Sequence, residues 1–197
     1  IAAYIKQTVM QKKGNYLAFF PSYRMLQDVM ACTGPQLDSS IRCICQTSGM
    51  TEEEREAFLH EFEQKRKEDE GLLGFCVMGG IFGEGIDLKE DSLIGAIIVG
   101  TGIPQICRER EILKQYYDGR NEDGFAYAYR YPGMNKVLQA AGRVIRTAED
   151  IGIVALLDER FLTTPYQRMF PREWREYEDV SLKEIGHYVE RFWDEWL

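Results

Sequence analysis

The segment Gln139-Ala-Ala-Gly142-Arg143-Val-Ile-Arg146 holds an amide and two guanidiniums at spacings of four and three. On an α-helix that spacing puts the three side chains in one row. Val137, Leu138, Ala141, Val144 and Ile145 fill the other positions and can bury them. Two aligned cations on a packed helix suit the charge that develops on a phosphoryl group in transfer. The same row also fits an exposed polar stripe. Gly142 costs about 1 kcal/mol inside a helix relative to Ala, and there it would clear space beside the arginines.

Two other segments can meet a ligand. Gly79-Gly80-Ile-Phe-Gly83-Glu84-Gly85-Ile-Asp87 holds four glycines in seven residues, which lets backbone come close to a ligand and take positive φ. Asp87 could hold a ribose hydroxyl or polar backbone, or be a solvated acid after a tight turn. Phe19-Phe20-Pro21-Ser22-Tyr23 ends a strand and opens a helix. Free N–H groups there, with the Ser22 and Tyr23 hydroxyls, suit a phosphate; a proline stop followed by a serine cap is the plainer reading. No Gly-Lys-Ser/Thr occurs and Gly-x-Gly-x-x-Gly is not spelled, so neither a P-loop nor a dinucleotide fingerprint is present.

The elements that must position these residues alternate. Helices are predicted at 2–13, from Ser22 to about Cys32, at 52–69 behind a Thr51/Glu54 capping box, near 105–118 and at 134–147. Phe58, Leu59 and Phe62 should form the inner face of the third. Strands are predicted at 16–20, 41–45, 74–78, 93–99 and 151–157, the fourth apolar throughout as if covered on both faces. Strands separated by helices imply right-handed crossovers and a mainly parallel sheet, whose ligands bind at the carboxyl ends of the strands.

The 197 residues carry 45% apolar and 28% charged side chains, ordinary globular composition, and at this length folding buries roughly 70% of the extended-chain surface. The apolar run at 93–99 is far below the roughly 20 residues of a membrane span. The chain starts at Ile1, inside a gene product or after processing, and no charged n-region with an apolar h-region is visible there, so no signal peptide is expected in these residues. The net charge of −8 argues against a nucleic-acid binder until it is located. Residues 51–70 hold nine acids and four bases, and 172–197 hold eight and four, so the other 151 residues sum to +1. The acidity sits in two stretches, leaving the rest free to present a basic face. The five cysteines lack metal-knuckle spacing and read as buried free thiols of a reducing compartment, with Cys43 and Cys45 on one face of a strand.

In order, Phe-Pro-Ser-Tyr, then Gly-Glu-Gly-Ile-Asp, then Gln-x-x-Gly-Arg-x-x-Arg resembles motifs IV, V and VI of superfamily 2 helicases. Gly83 to Leu88, Gly102-Ile103-Pro104, the Gln139 to Arg146 string and Leu157-Asp158-Glu159-Arg160-Phe161 resemble the XPD/DinG branch, over about residues 14–175. The resemblance implies a second RecA-like motor lobe: an α/β, three-layer αβα sandwich of the P-loop NTPase type without its own P-loop. One domain would cover 1–197, with a helical tail at about 172–197.

By the same resemblance Arg143 and Arg146 would be arginine fingers for ATP on a first lobe, with Gln139 placing phosphate or water. Glu84, Gly85 and Asp87 would line the interlobe cleft. Ser22, Tyr23, Gly79, Gly80 and Gln46 would contact single-stranded DNA, and Asp158 and Arg160 would brace the sheet end. ATP and Mg²⁺ would be held mainly by the first lobe, and any iron–sulfur cluster would lie outside this chain. The partners implied are that lobe and single-stranded DNA, with no membrane, in cytoplasm, on a nucleoid or in a nucleus. The whole helicase would move 5′ to 3′ in repair or replication, while this chain alone would be inactive. A docking module derived from such a lobe is the rival. The acidic helix at 51–70 should lie away from the strand path, and the aromatic tail should pack either on the first lobe or on this domain.

Overall fold

Leu17 and Phe19 point to one face of their strand, and Tyr16, Ala18 and Phe20 to the other, yet all five are buried. The neighbouring strands repeat the pattern, with Leu72 and Cys76 against Leu73 and Phe75, and Ala96 and Ile98 against Ile97 and Val99. Such strands require cover on both sides. The computed structural model describes residues 1–80, 82, 93–145 and 150–196. Among them β1 (Asn15–Phe20), β2 (Ile41–Cys45), β3 (Gly71–Val77), β4 (Gly95–Val99) and β5 (Ile153–Leu157) form one sheet in the order β2-β3-β1-β4-β5. Every pairing is parallel.

Helices cover both faces, giving the three-layer α/β arrangement. α1 (Ala2–Gln11) and α2 (Tyr23–Thr33) bury Ile5, Val9 and Leu26 on one face. α3 (Glu52–Glu63) and α5 (Tyr131–Ala141) bury Phe58, Phe62, Met134, Val137 and Ala140 on the other. Phe161 and Tyr166, the latter in the short helix α6 (Thr164–Gln167), extend that second core. α4 (Arg108–Asp118) buries none of its residues and leads to a π-helical turn at Ala126–Arg130.

The capping box forms as its spacing predicts, with the Thr51 hydroxyl taking the Glu54 N–H and the Glu54 carboxylate taking the Thr51 N–H. The helix behind it is shorter than the sequence reading has it. It stops at Glu63 because Arg66 folds back, donating from Nη2 to the Glu61 carbonyl at 2.6 Å and from Nε to Asn15 Oδ1 at 3.1 Å. The tail also departs from the predicted helix at 172–197. A single 3₁₀ turn at Arg172–Trp174 is followed by irregular chain until α7 (Ile185–Trp196), whose start is braced by the Ser181 N–H donating to the Glu184 carboxylate.

α7 lays Ile185, Val189 and Trp193 against Tyr4 of α1 and against Ile94 and Ile153, so the aromatic tail packs on this chain. The free cysteines divide. Cys43 and Cys45 share the α1/α2 face as expected, and burial pushes the Cys76 thiol well up from its usual value. Cys32 and Cys107 are exposed instead of buried.

Candidate nucleic-acid and nucleotide interface

Because all strands run parallel, their carboxyl ends share one edge, and two of the segments, Phe20 to Tyr23 and Gly79–Gly80, lie there. The turn at Arg143 and Val144 instead packs by Gly152 and Ile94, at the amino ends of β5 and β4. At the end of β1, Pro21 and Ser22 turn the chain into α2. Ser22 caps that helix by accepting the Met25 N–H at 3.3 Å, which leaves its own O–H proton available. Tyr23, the first residue of α2, lies partly exposed beside it. Met78 follows β3, and its N–H donates to the Phe20 carbonyl at 2.7 Å, tying the ends of β1 and β3 together. Gly79 follows with φ of +70° and Gly80 after it, and both are partly exposed. Ser22, Tyr23, Gly79 and Gly80 are therefore brought to one edge, as the sequence reading requires.

Gln46 does not fit the role of a direct strand contact. It is 3% exposed. Its Nε2 donates to the Tyr23 hydroxyl at 3.0 Å, and its Oε1 accepts the Val77 N–H at 2.8 Å. A buried amide engaged at both ends positions its neighbours. It holds the Tyr23 oxygen as an acceptor, so the phenolic proton is left to donate outward.

The arginine segment is also revised. The helix predicted over 134–147 ends at Ala141, and Gly142 caps it with φ −65° and ψ 1°. Arg143 and Val144 then donate to the Ala140 and Ala141 carbonyls at 3.3 and 3.1 Å, the i to i+3 bonds of a tight turn. Gln139 is exposed in the last turn of α5, and Arg143 is partly buried just beyond it. The single helical row is thus replaced by a helix end that presents Gln139 and a turn that redirects Arg143. Gly142 stands at that stop in the ordinary right-handed range of φ, which does not require glycine. Arg146, Glu84, Gly85 and Asp87 lie outside the described residues, and so does the remainder of the row.

α5 is fixed against the strand ends by close backbone approach. A Cβ on Gly133 would lie 2.6 Å from the Thr101 carbonyl oxygen and 3.0 Å from the Ile103 nitrogen, so only glycine lets the helix start sit on the loop after β4. Tyr166 donates to the Thr101 hydroxyl at 3.4 Å on the same loop. Three residues further along α5, Lys136 lies across Gly79. Neither contact is signalled by a motif, although Pro132-Gly133 at the start of a helix marks a tight entry.

At the end of β5, Asp158 and Arg160 pair through two bonds, 2.8 Å to Oδ1 and 2.6 Å to Oδ2, and the Arg160 N–H donates to Asp158 Oδ1 at 2.9 Å. The Arg160 side chain draws the Asp158 carboxyl below its usual value, against partial burial. This pair closes the sheet end, the bracing its residue types imply. Among the described residues no cluster of three or more His, Cys, Asp or Glu side chains could hold a metal ion, and no helix is long and apolar enough to cross a membrane.

An all-parallel five-stranded sheet between helical layers, with a serine-capped turn and a glycine turn at its carboxyl edge, is the α/β three-layer fold of RecA-like helicase lobes. Two XPD structures match this fold over 85% of the chain, with TM-scores of 0.65 and 0.64 and identities of 24% and 25%. They are covered over 33% and 29% of their own lengths. Domain 2 of a DEAD-box helicase, in a structure with an RNA duplex, matches in fold over 95% of this chain and 62% of its own, with a TM-score of 0.50 at 13% identity.

The sequence profile of the helicase C-terminal domain matches residues 5–177, and the chain belongs to that family in its XPD/DinG-like branch. It is similar to the regulator of telomere elongation helicase 1 homolog of Drosophila yakuba, 30% identical over 155 residues, which is 74% of this chain and 16% of that protein. It is similar also to the ATP-dependent DNA helicase CHL1 of Saccharomyces cerevisiae, 27% identical over 194 residues, 90% of this chain and 22% of that protein. The chain therefore spans about a sixth to a fifth of the curated relatives it matches.

Proposed function

We propose that this chain, as one domain over 1–197, is the second motor lobe of an ATP-dependent DNA helicase. ATP with Mg²⁺, held mainly by a first lobe, would supply the phosphoryl transfer. Arg143 and Arg146 are its arginine fingers and Gln139 orients the phosphate or the attacking water. Glu84, Gly85 and Asp87 have the role of nucleotide-binding residues in this reading. Ser22 and Tyr23, with the backbone of Gly79 and Gly80, grip the phosphates of single-stranded DNA, and Gln46 acts through Tyr23. The grip is independent of sequence and sensitive to salt.

The observation that carries this reading is the family match over residues 5–177. The gathering of Ser22, Tyr23, Gly79 and Gly80 at one sheet edge supports the strand-gripping part. Movement is 5′ to 3′, in repair or replication, on a nucleoid or in a nucleus, and the isolated chain hydrolyses nothing. Strand displacement by the full-length protein tests this. Duplexes with a 5′ overhang are expected to unwind only with ATP and Mg²⁺, and failure on both 5′ and 3′ overhangs would refute the helicase assignment.

A further inference from the structure

We propose that Lys136 supplies the cation that meets a backbone phosphate of the strand above the Gly79–Gly80 turn. The inference rests on the strand-gripping reading and adds a charged group to it. A Cβ built on Gly79 would lie 2.8 Å from both Cδ and Cε of Lys136 and 3.1 Å from its Nζ. The lysine therefore occupies the space in which any side chain at position 79 would stand, and its ammonium lies directly on the turn. Gly79 at φ +70° is in the region that favours glycine, so backbone and space both keep the position open for Lys136.

The stem of Lys136 leaves α5 beside Val137 and Ala140, both fully buried, so the helix beneath it is fixed. Among the described residues Lys136 forms no ion pair, so no carboxylate there neutralises its charge. The contacts run on without a gap. A Cβ on Gly80 would lie 3.4 Å from Gln46 Nε2, and that nitrogen holds the Tyr23 hydroxyl. A cation, a phenolic donor and glycine backbone on one partly exposed ridge form the donor set that recognises a phosphodiester without reading its base.

Fluorescence anisotropy of the full-length protein on a labelled oligothymidylate, titrated over a range of salt, tests the assignment. Lys136→Ala and Lys136→Gln are each expected to bind about tenfold more weakly at low salt, the effect of one charge-assisted contact. Each is expected to lower the slope of log affinity against log salt by about 0.7, one single-strand phosphate fewer. Lys136→Arg is expected to keep both. Tyr23→Phe is expected to weaken binding while leaving the slope unchanged, because it removes a neutral donor. An unchanged slope in Lys136→Ala beside a weakened Tyr23→Phe would overturn the Lys136 assignment and leave the strand-gripping reading standing. Unchanged binding in both would overturn the two together.

Discussion

Gln46 joins the start of α2 to the end of β3 through one side chain: its Nε2 donates to the Tyr23 hydroxyl at 3.0 Å and its Oε1 accepts from the Val77 N–H at 2.8 Å. The bonds come from the two atoms of one planar amide, so the distance between the Tyr23 hydroxyl and the Val77 N–H is set by the width of that amide and two hydrogen bonds. That distance separates Tyr23 from the Gly79–Gly80 turn, and a strand phosphate bridging them would need it held.

Gln46→Leu keeps the volume but removes both bonds, leaving the Val77 N–H without its side-chain acceptor. A loss of about 1–3 kcal/mol in unfolding free energy is expected, read as a lowered urea midpoint at constant slope. In the full-length protein the same change is expected to weaken single-strand binding, since the Tyr23 hydroxyl then loses its fixed direction. Stability and binding equal to wild type would show that the amide links nothing of consequence.

Asp158 and Arg160 give the fold an acid-sensitive contact. The Asp158 carboxyl is held below its usual value by Arg160, so the folded state favours the ionised form. The stabilisation is complete above the unfolded value of about 3.9 and is lost as pH falls through the lower folded value. Arg160 is half exposed, so the effect is modest. Asp158→Asn is expected to lower the urea midpoint at pH 7 and to narrow its gap to wild type as pH falls below 4. Parallel pH profiles would contradict the pairing.

Much of the fold could be read from local pattern. Five largely apolar runs bounded by glycine, proline and polar turns become the five strands, the central three buried on both faces and the edge strands β2 and β5 only in part. The capping box at Thr51 fixes the start of α3 through its own side chains. Helix ends were harder, since they depend on distant partners. Arg66 ends α3 by reaching Asn15, 51 residues away in sequence. The stop at Gly142 depends on how the following turn packs, and the 3.6-residue period of Gln139, Arg143 and Arg146 continues through it in the sequence alone.

At the candidate site, residue type and spacing single out Ser22, Tyr23, Gly79 and Gly80, which the fold brings to one sheet edge. They do not distinguish Gln46, which positions Tyr23, from a residue that touches a ligand. Nor do they reveal Lys136, whose place over Gly79 arises only once α5 has docked through Gly133 onto the loop after β4.

The central claim is that the turn after α5 completes an ATP site held mainly by another lobe. DNA-stimulated ATPase of the full-length protein, with Arg143→Ala and Arg146→Ala beside wild type, tests it most directly. Each variant is expected to lose on the order of 10³-fold in kcat with little change in nucleotide binding, because an arginine finger acts on charge that develops in the transition state. Turnover equal to wild type in both variants would contradict the claim and leave the chain as a docking module built on a helicase lobe.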